Sequence, residues 1–193
     1  MSATVLSVGL AGELPAGHPH AALAARAADP AALEPLVLSP TLRRERKVRV
    51  LVEAAQRALA APLAARPGAR DRCALVVVSR RDGRPASFVD RDTSALVSFA
   101  DMEPSTVAYA FVPHMAASCI PHLFRLRGPS VSLGSREGLA AAWRVGERWL
   151  GRRADVALLI ETELGLPSCV RSDPPVPSDY ALAVLIGKEE HTS

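Results

Sequence analysis

An α/β fold is predicted by three features of this sequence. Short apolar runs at 4–10, 73–78, 131–133, 154–160 and 180–186 are rich in Val, Leu and Ile, and stretches of helical periodicity lie between them. The runs at 73–78, 154–160 and 180–186 are continuous rather than alternating, the pattern of strands covered on both faces by helices. The composition agrees: 49% of the 193 residues are hydrophobic, alanine is abundant and only 4% are aromatic, which lets helices approach closely.

The elements follow in order. The first strand, 4–10, runs into a Gly/Pro/His loop containing Gly12, Pro15, Gly17 and Pro19, in which His18 and His20 read as solvated. Residues 21–38 are cut by Pro30 and Pro35 and read as irregular, with short helical pieces. Ser39-Pro40-Thr41 is a helix start, and Leu42, Val48, Leu51, Val52, Ala55 and Leu59 define one amphipathic helix over 41–60, ended by Pro62 and Pro67-Gly68. The strand at 73–78 completes a helix-then-strand step. Residues 79–104 read as loop around an apolar patch at 95–99, and 106–127 as an apolar stretch interrupted by Pro113 and Pro121. A strand at 131–133, a small-residue turn and a helix over 137–150 form a strand–turn–helix unit. The strand at 154–160, a proline-rich loop over 167–177 and the strand at 180–186 close the chain, with a flexible tail from about 188.

The length suits one domain spanning 1–193. Net charge is +3, from 23 Lys+Arg and 20 Asp+Glu interspersed, so no nucleic-acid groove is expected. Cys73, Cys119 and Cys169 lie far apart without a C-x-x-C pair, which argues against a disulfide framework or a zinc site and for a reducing compartment. The N-terminus has no basic leader, and no stretch approaches the about 18 apolar residues of a membrane span, so a cytoplasmic location is expected. No cofactor is called for. His114 and His122 lie eight apart with no carboxylate or cysteine at ligand spacing, so no metal site is expected either.

Several segments resemble one family in the right order. Leu126-Arg-Gly-Pro-Ser130, the strand Val131-Ser-Leu133, a turn and an alanine-rich helix resemble the β-ketoacyl synthase segment that leads into the active-site cysteine. Gly151-Arg-Arg-Ala-Asp-Val-Ala-Leu-Leu159 resembles the family's Gly-x-x-Asp strand, with Ile160-Glu161 where a glycine pair is usual. The final strand, the helix over 38–59 and the first strand are similar to their counterparts as well. The resemblance implies the N-terminal half of the thiolase-like (ketosynthase) fold, a mixed five-stranded sheet with helices on its faces. The histidine-bearing second half of a ketosynthase has no residues here to carry it. The chain most resembles the ketosynthase-like N-terminal-domain proteins of aryl polyene pigment pathways, which accompany a full-length ketosynthase as a chain-length-factor-like subunit.

Family catalysis uses a thiolate at a helix N-terminus, where the dipole and unpaired N–H groups lower the thiol pKa. Counting without a gap from Gly128-Pro129-Ser130 puts that position on Glu137, preceded by Arg136 in place of a small residue. A carboxylate suits the dipole but cannot form the acyl thioester, so the chain is expected to be no enzyme and Glu137 to mark a degenerate nucleophile position; a helix-start acid making local N–H bonds explains it equally. By the same resemblance Val131, Ser132 and Leu133 form the strand that pairs across the dimer interface. Val107, Phe111 and Met115 are either ordinary core or residues reaching into the partner's acyl pocket. The implied partner is a full-length catalytic ketosynthase in a heterodimer, with acyl carrier protein as a possible second. Two alternatives stay open: a stand-alone decarboxylase or hydrolase of malonyl- or acyl-thioesters using Glu137 and His114, and an acyl-binding scaffold without a ketosynthase partner.

Overall fold

The computed structural model describes residues 3–29, 46–80, 88–90, 113–163, 170–172 and 180–188. The elements are β1 (Ala3–Gly12), α1 (Ala21–Ala24), α2 (Arg46–Ala65), β2 (Cys73–Ser79), β3 (Phe88–Asp90), α3 (Pro113–Phe124), β4 (Ser130–Gly134), α4 (Leu139–Trp149), β5 (Val156–Glu163), β6 (Val170–Ser172) and β7 (Tyr180–Lys188). A 3-10 turn, Pro67–Arg72, leads into β2. Five strands form one sheet in the order β1-β7-β5-β2-β4, and β3 pairs with β6 in a separate ribbon. The sheet is mixed: β2 runs parallel to β4 and β5, while β7 is antiparallel to β5 and β1.

Strand period two sorts the core into two layers. Leu75, Val77, Leu158, Ile160, Ala183 and Leu185 face one side and pack with Val48, Leu51, Ala55 and Leu59 of α2 and Ile120 of α3. Ala74, Val76, Val78, Leu159, Val184 and Ile186 face the other side, with Leu139 and Ala142 of α4. The continuous apolar strands predicted from sequence are therefore central, with both faces covered. Every residue of β7 from Tyr180 to Gly187 is buried.

Two helix limits differ from expectation. The helix predicted to stop at Pro62 continues to Ala65, with Pro62 inside its last turn. Proline removes the N–H that would bond the carbonyl four residues back, which is that of Ala58. That carbonyl instead accepts the Ser7 hydroxyl of β1. Likewise Pro113 opens α3 and Pro121 sits within it, so the two prolines that were to interrupt the segment lie in one helix. The predicted helix start at 39–41, the patch at 95–99 and the tail beyond 188 lie outside the described residues.

A close approach seats α2 on the sheet. A Cβ added to Gly9 would lie 2.1 Å from the Ala54 carbonyl oxygen and 2.7 Å from the Ala58 nitrogen. Both are backbone atoms of a buried helix. Glycine at this position lets β1 and α2 touch main chain to main chain.

Candidate functional site

The strand–turn–helix unit is β4, the turn 135–138 and α4. Its backbone turns sharply at Gly138, the residue before the first helical position, with φ 55° and ψ −129°. This combination lies in the part of conformational space that favours glycine. Such a turn presents the side chain of its residue at the helix N-terminus, the geometry of a nucleophile elbow. Here there is no side chain, and the space is taken. A Cβ on Gly138 would stand 2.1 Å from Glu161 Oε2 and 2.7 Å from Glu161 Cδ.

Glu161 reaches this place because it follows Ala157 and Leu159 on the α4 face of β5. It is 1% exposed. A carboxylate so deeply buried needs donors on both oxygens. Oε2 accepts the Leu139 N–H at the start of α4, one of the helix's unpaired donors. Oε1 accepts the Tyr180 hydroxyl at 2.7 Å and lies 2.8 Å from His18 Nε2. Arg80 Nη1 stands 3.8 Å from Oε1, and His20 Nε2 stands 3.9 Å from Oε2. His18 Nδ1 accepts the His20 backbone N–H at 3.2 Å, while its Nε2 lies 2.8 Å from Glu161 Oε1, 3.1 Å from the Tyr180 hydroxyl and 3.2 Å from Arg80 Nη1. The edges of the cluster reach solvent through the half-buried side chains of His20 and Arg80.

The surroundings move two of these groups. Burial, then the hydrogen bond and negative charge of Glu161, hold the Tyr180 phenol above its ordinary pKa. Burial lowers His20, with attraction to Glu161 opposing it. His20 is therefore held toward its neutral form.

The residues singled out from sequence fall in different places. Glu137 is exposed and its carboxylate pairs with the exposed Arg144 one helical stretch along, while its N–H faces Ser135 Oγ at 3.3 Å. Arg136 is exposed too. Val131, Ser132 and Leu133 lie half-buried on β4, which is an edge of the sheet. Val131 and Leu133 lean on the α4-side core. Met115 and His114 belong to α3, and His122 is exposed near its end. Val107, Phe111, Cys169 and His191 lie outside the described residues. His18, expected to be solvated, is instead buried at 6% exposure because it meets Glu161 and Tyr180. Among the described residues no group of His, Cys, Asp and Glu could hold a metal ion, and no helix is long and apolar enough to cross a membrane.

Sequence alone does not bring Tyr180 and His18 to this site. The available signal was Glu161 itself, a lone acid at the end of an apolar run, which requires buried partners. The two described cysteines are poor nucleophiles. Burial pushes the Cys73 thiol up to about 12 and the Cys119 thiol up to about 11. Because the folded Cys73 thiol holds its proton beyond the ordinary 9.0, its contribution to stability is complete below pH 9 and is lost as pH rises toward 12. Denaturation midpoints measured from pH 8 to 10.5 should therefore fall at the alkaline end, and Cys73→Ala should flatten that fall; an unchanged alkaline limb would contradict the assignment.

No protein-family profile and no curated protein matches the sequence. Solved structures do match in fold. A chain of the ketosynthase in complex with its chain length factor from Xenorhabdus doucetiae aligns at TM-score 0.53 and 14% identity, over 98% of this chain and 80% of that one. The 3-oxoacyl-[acyl-carrier-protein] synthase III of Aquifex aeolicus aligns at TM-score 0.48 and 12% identity, over all of this chain and 56% of the synthase. An HMG-CoA synthase from Bacillus subtilis aligns at 0.45 and 13%, over 97% and 41%. The fold assignment rests on the first of these, with the sheet order and the strand–turn–helix unit described above. This chain has the thiolase-like α/β fold of that ketosynthase–chain length factor structure.

Proposed function

We propose that this chain is a non-catalytic, chain-length-factor-like subunit that pairs with a full-length β-ketoacyl-ACP synthase in aryl polyene, polyketide or fatty-acid-type biosynthesis. The observation that carries the reading is the turn before α4. Gly138 takes the positive-φ position that a nucleophile would occupy, and the Glu161 carboxylate fills the space beside it. A glycine beside a buried carboxylate at this turn supports a non-catalytic reading. The fold match to a chain from a ketosynthase–chain length factor complex, covering 80% of that chain, supports a partner of the same kind.

The β4 edge suits such pairing. Pro129 O accepts the Leu75 N–H at 2.9 Å and Ser135 N donates to Ser79 O at 2.9 Å, so the odd-numbered peptide groups of β4 face β2. Ser130, Ser132 and Gly134 then direct N–H and C=O groups away from the sheet. An antiparallel strand centred on Ser132 would satisfy all three, and among the described residues no strand pairs with this edge, which invites a partner strand. Val107, Phe111 and Met115 are the proposed contacts to the partner's acyl pocket.

The test is a condensation assay on carrier-protein-bound substrates with and without this chain. The ketosynthase is expected to need the chain for full activity or for its product length, the chain alone to turn over no malonyl- or acyl-thioester, and Phe111→Ala in this chain to lengthen the product. Thioester turnover by the chain alone would instead support a stand-alone decarboxylase or hydrolase using Glu137 and His114.

A further inference from the structure

Glu161 is a charged side chain fully withdrawn from water in the middle of the molecule, and its position explains more than the lack of a nucleophile. Its polar partners come from three separate elements: the Leu139 N–H from α4, the Tyr180 hydroxyl from β7 and His18 Nε2, itself 3.2 Å from Arg80 Nη1, from the loop after β1. The cationic Arg80, after β2, stands 3.8 Å away. None of these groups belongs to β5, the strand that carries Glu161. The missing side chain at Gly138 supplies the volume, since a Cβ there would overlap Oε2. Donors, cation and volume together define a receptor for one carboxylate group at a helix N-terminus.

We propose that this receptor is a carboxylate-binding site that the chain fills with its own side chain, so that it is closed to external carboxylates while Glu161 is present and opens to small monocarboxylates when Glu161 is shortened. The proposal stands on this chain alone and does not depend on a ketosynthase partner. Access is short, because His20 and Arg80 at the rim are about one-third exposed. Leu139, Tyr180 and His18 keep their places without Glu161 through the α4 helix, the β5–β7 ladder and the bond from the His20 N–H to His18 Nδ1. Shortening Glu161 leaves three polar partners and a cation facing an empty space shaped for –COO⁻. Acetate and formate fit the description.

The experiment compares thermal melting of the full chain and of Glu161→Ala and Glu161→Gln in sodium acetate and in sodium chloride at matched ionic strength. The expected result is a lowered melting temperature for Glu161→Ala that acetate, but not chloride, raises in a saturable way, with no acetate response in the unsubstituted chain or in Glu161→Gln, whose amide keeps the space filled. If Glu161→Ala is unfolded without acetate, titration followed by circular dichroism reads the same site, and recovery of structure by acetate is the expected outcome. A second reading uses Gly138→Ala: its loss in melting temperature should be smaller in the Glu161→Ala background than in the unsubstituted chain, because the clash is gone. Equal effects of acetate and chloride on Glu161→Ala, or an equal acetate response with Glu161 present, would overturn the proposal.

Discussion

Ser132→Pro is expected to weaken association of this chain with a ketosynthase while leaving its own fold intact. The argument is positional. Proline removes one N–H and is tolerated in a strand only where that N–H bonds nothing within the sheet. The alternation along β4 turns the Ser132 N–H away from β2, so the ladder from Leu75 to Ser79 keeps its bonds. The same N–H lies at the centre of the edge offered to a partner. Its loss removes the central donor and sets a ring against the incoming strand, so binding should weaken by at least about tenfold, equivalent to about 1.4 kcal/mol. Affinity measured by pull-down or interferometry, beside a melting curve of the variant alone, separates the two effects. Undiminished binding by the folded variant would remove β4 from the interface.

Gly9→Ala is expected to be strongly destabilising. The added Cβ meets the Ala54 carbonyl oxygen at 2.1 Å and the Ala58 nitrogen at 2.7 Å, neither of which can swing aside as a side-chain tip would. To make room, α2 must move off the sheet. Leu51, Ala55, Ala58 and Leu59 would lose contact with the strands, and the Ser7 hydroxyl would lose the Ala58 carbonyl that Pro62 leaves open. Overpacking of this kind costs on the order of 3 kcal/mol, a large part of a domain's stability. Chemical denaturation of the variant should show a clearly lowered midpoint. A midpoint equal to that of the unsubstituted chain would mean that β1 and α2 are not in backbone contact.

The strands were legible because burial on both faces writes itself as unbroken apolar runs, and β2, β5 and β7 are of that type. The helices were legible in position but not in extent. Whether a proline ends a helix depends on what satisfies the freed carbonyl, and for α2 that group is Ser7, 51 residues away from Ala58. The turn before α4 was legible as a turn. Counting along the chain directs attention to Glu137, and the residue of that turn with positive φ is the next one, Gly138. The acid beside the turn then comes from another strand. Glu161 stood in plain view within an apolar run, but its partners His18 and Tyr180 lie 143 and 19 residues away in sequence. Only the closing of the sheet brings them together. A histidine in a Gly/Pro loop reads as solvated until that loop is known to fold over the strand ends.

The proposed subunit role turns on what covers β4. The most direct measurement is native mass spectrometry of this chain co-expressed with a cysteine-containing, full-length β-ketoacyl-ACP synthase from the same genome. A stable 1:1 complex, weakened by Ser132→Pro, is the predicted result. A monomer of this chain beside a synthase homodimer, with no mixed species at any concentration, would contradict it.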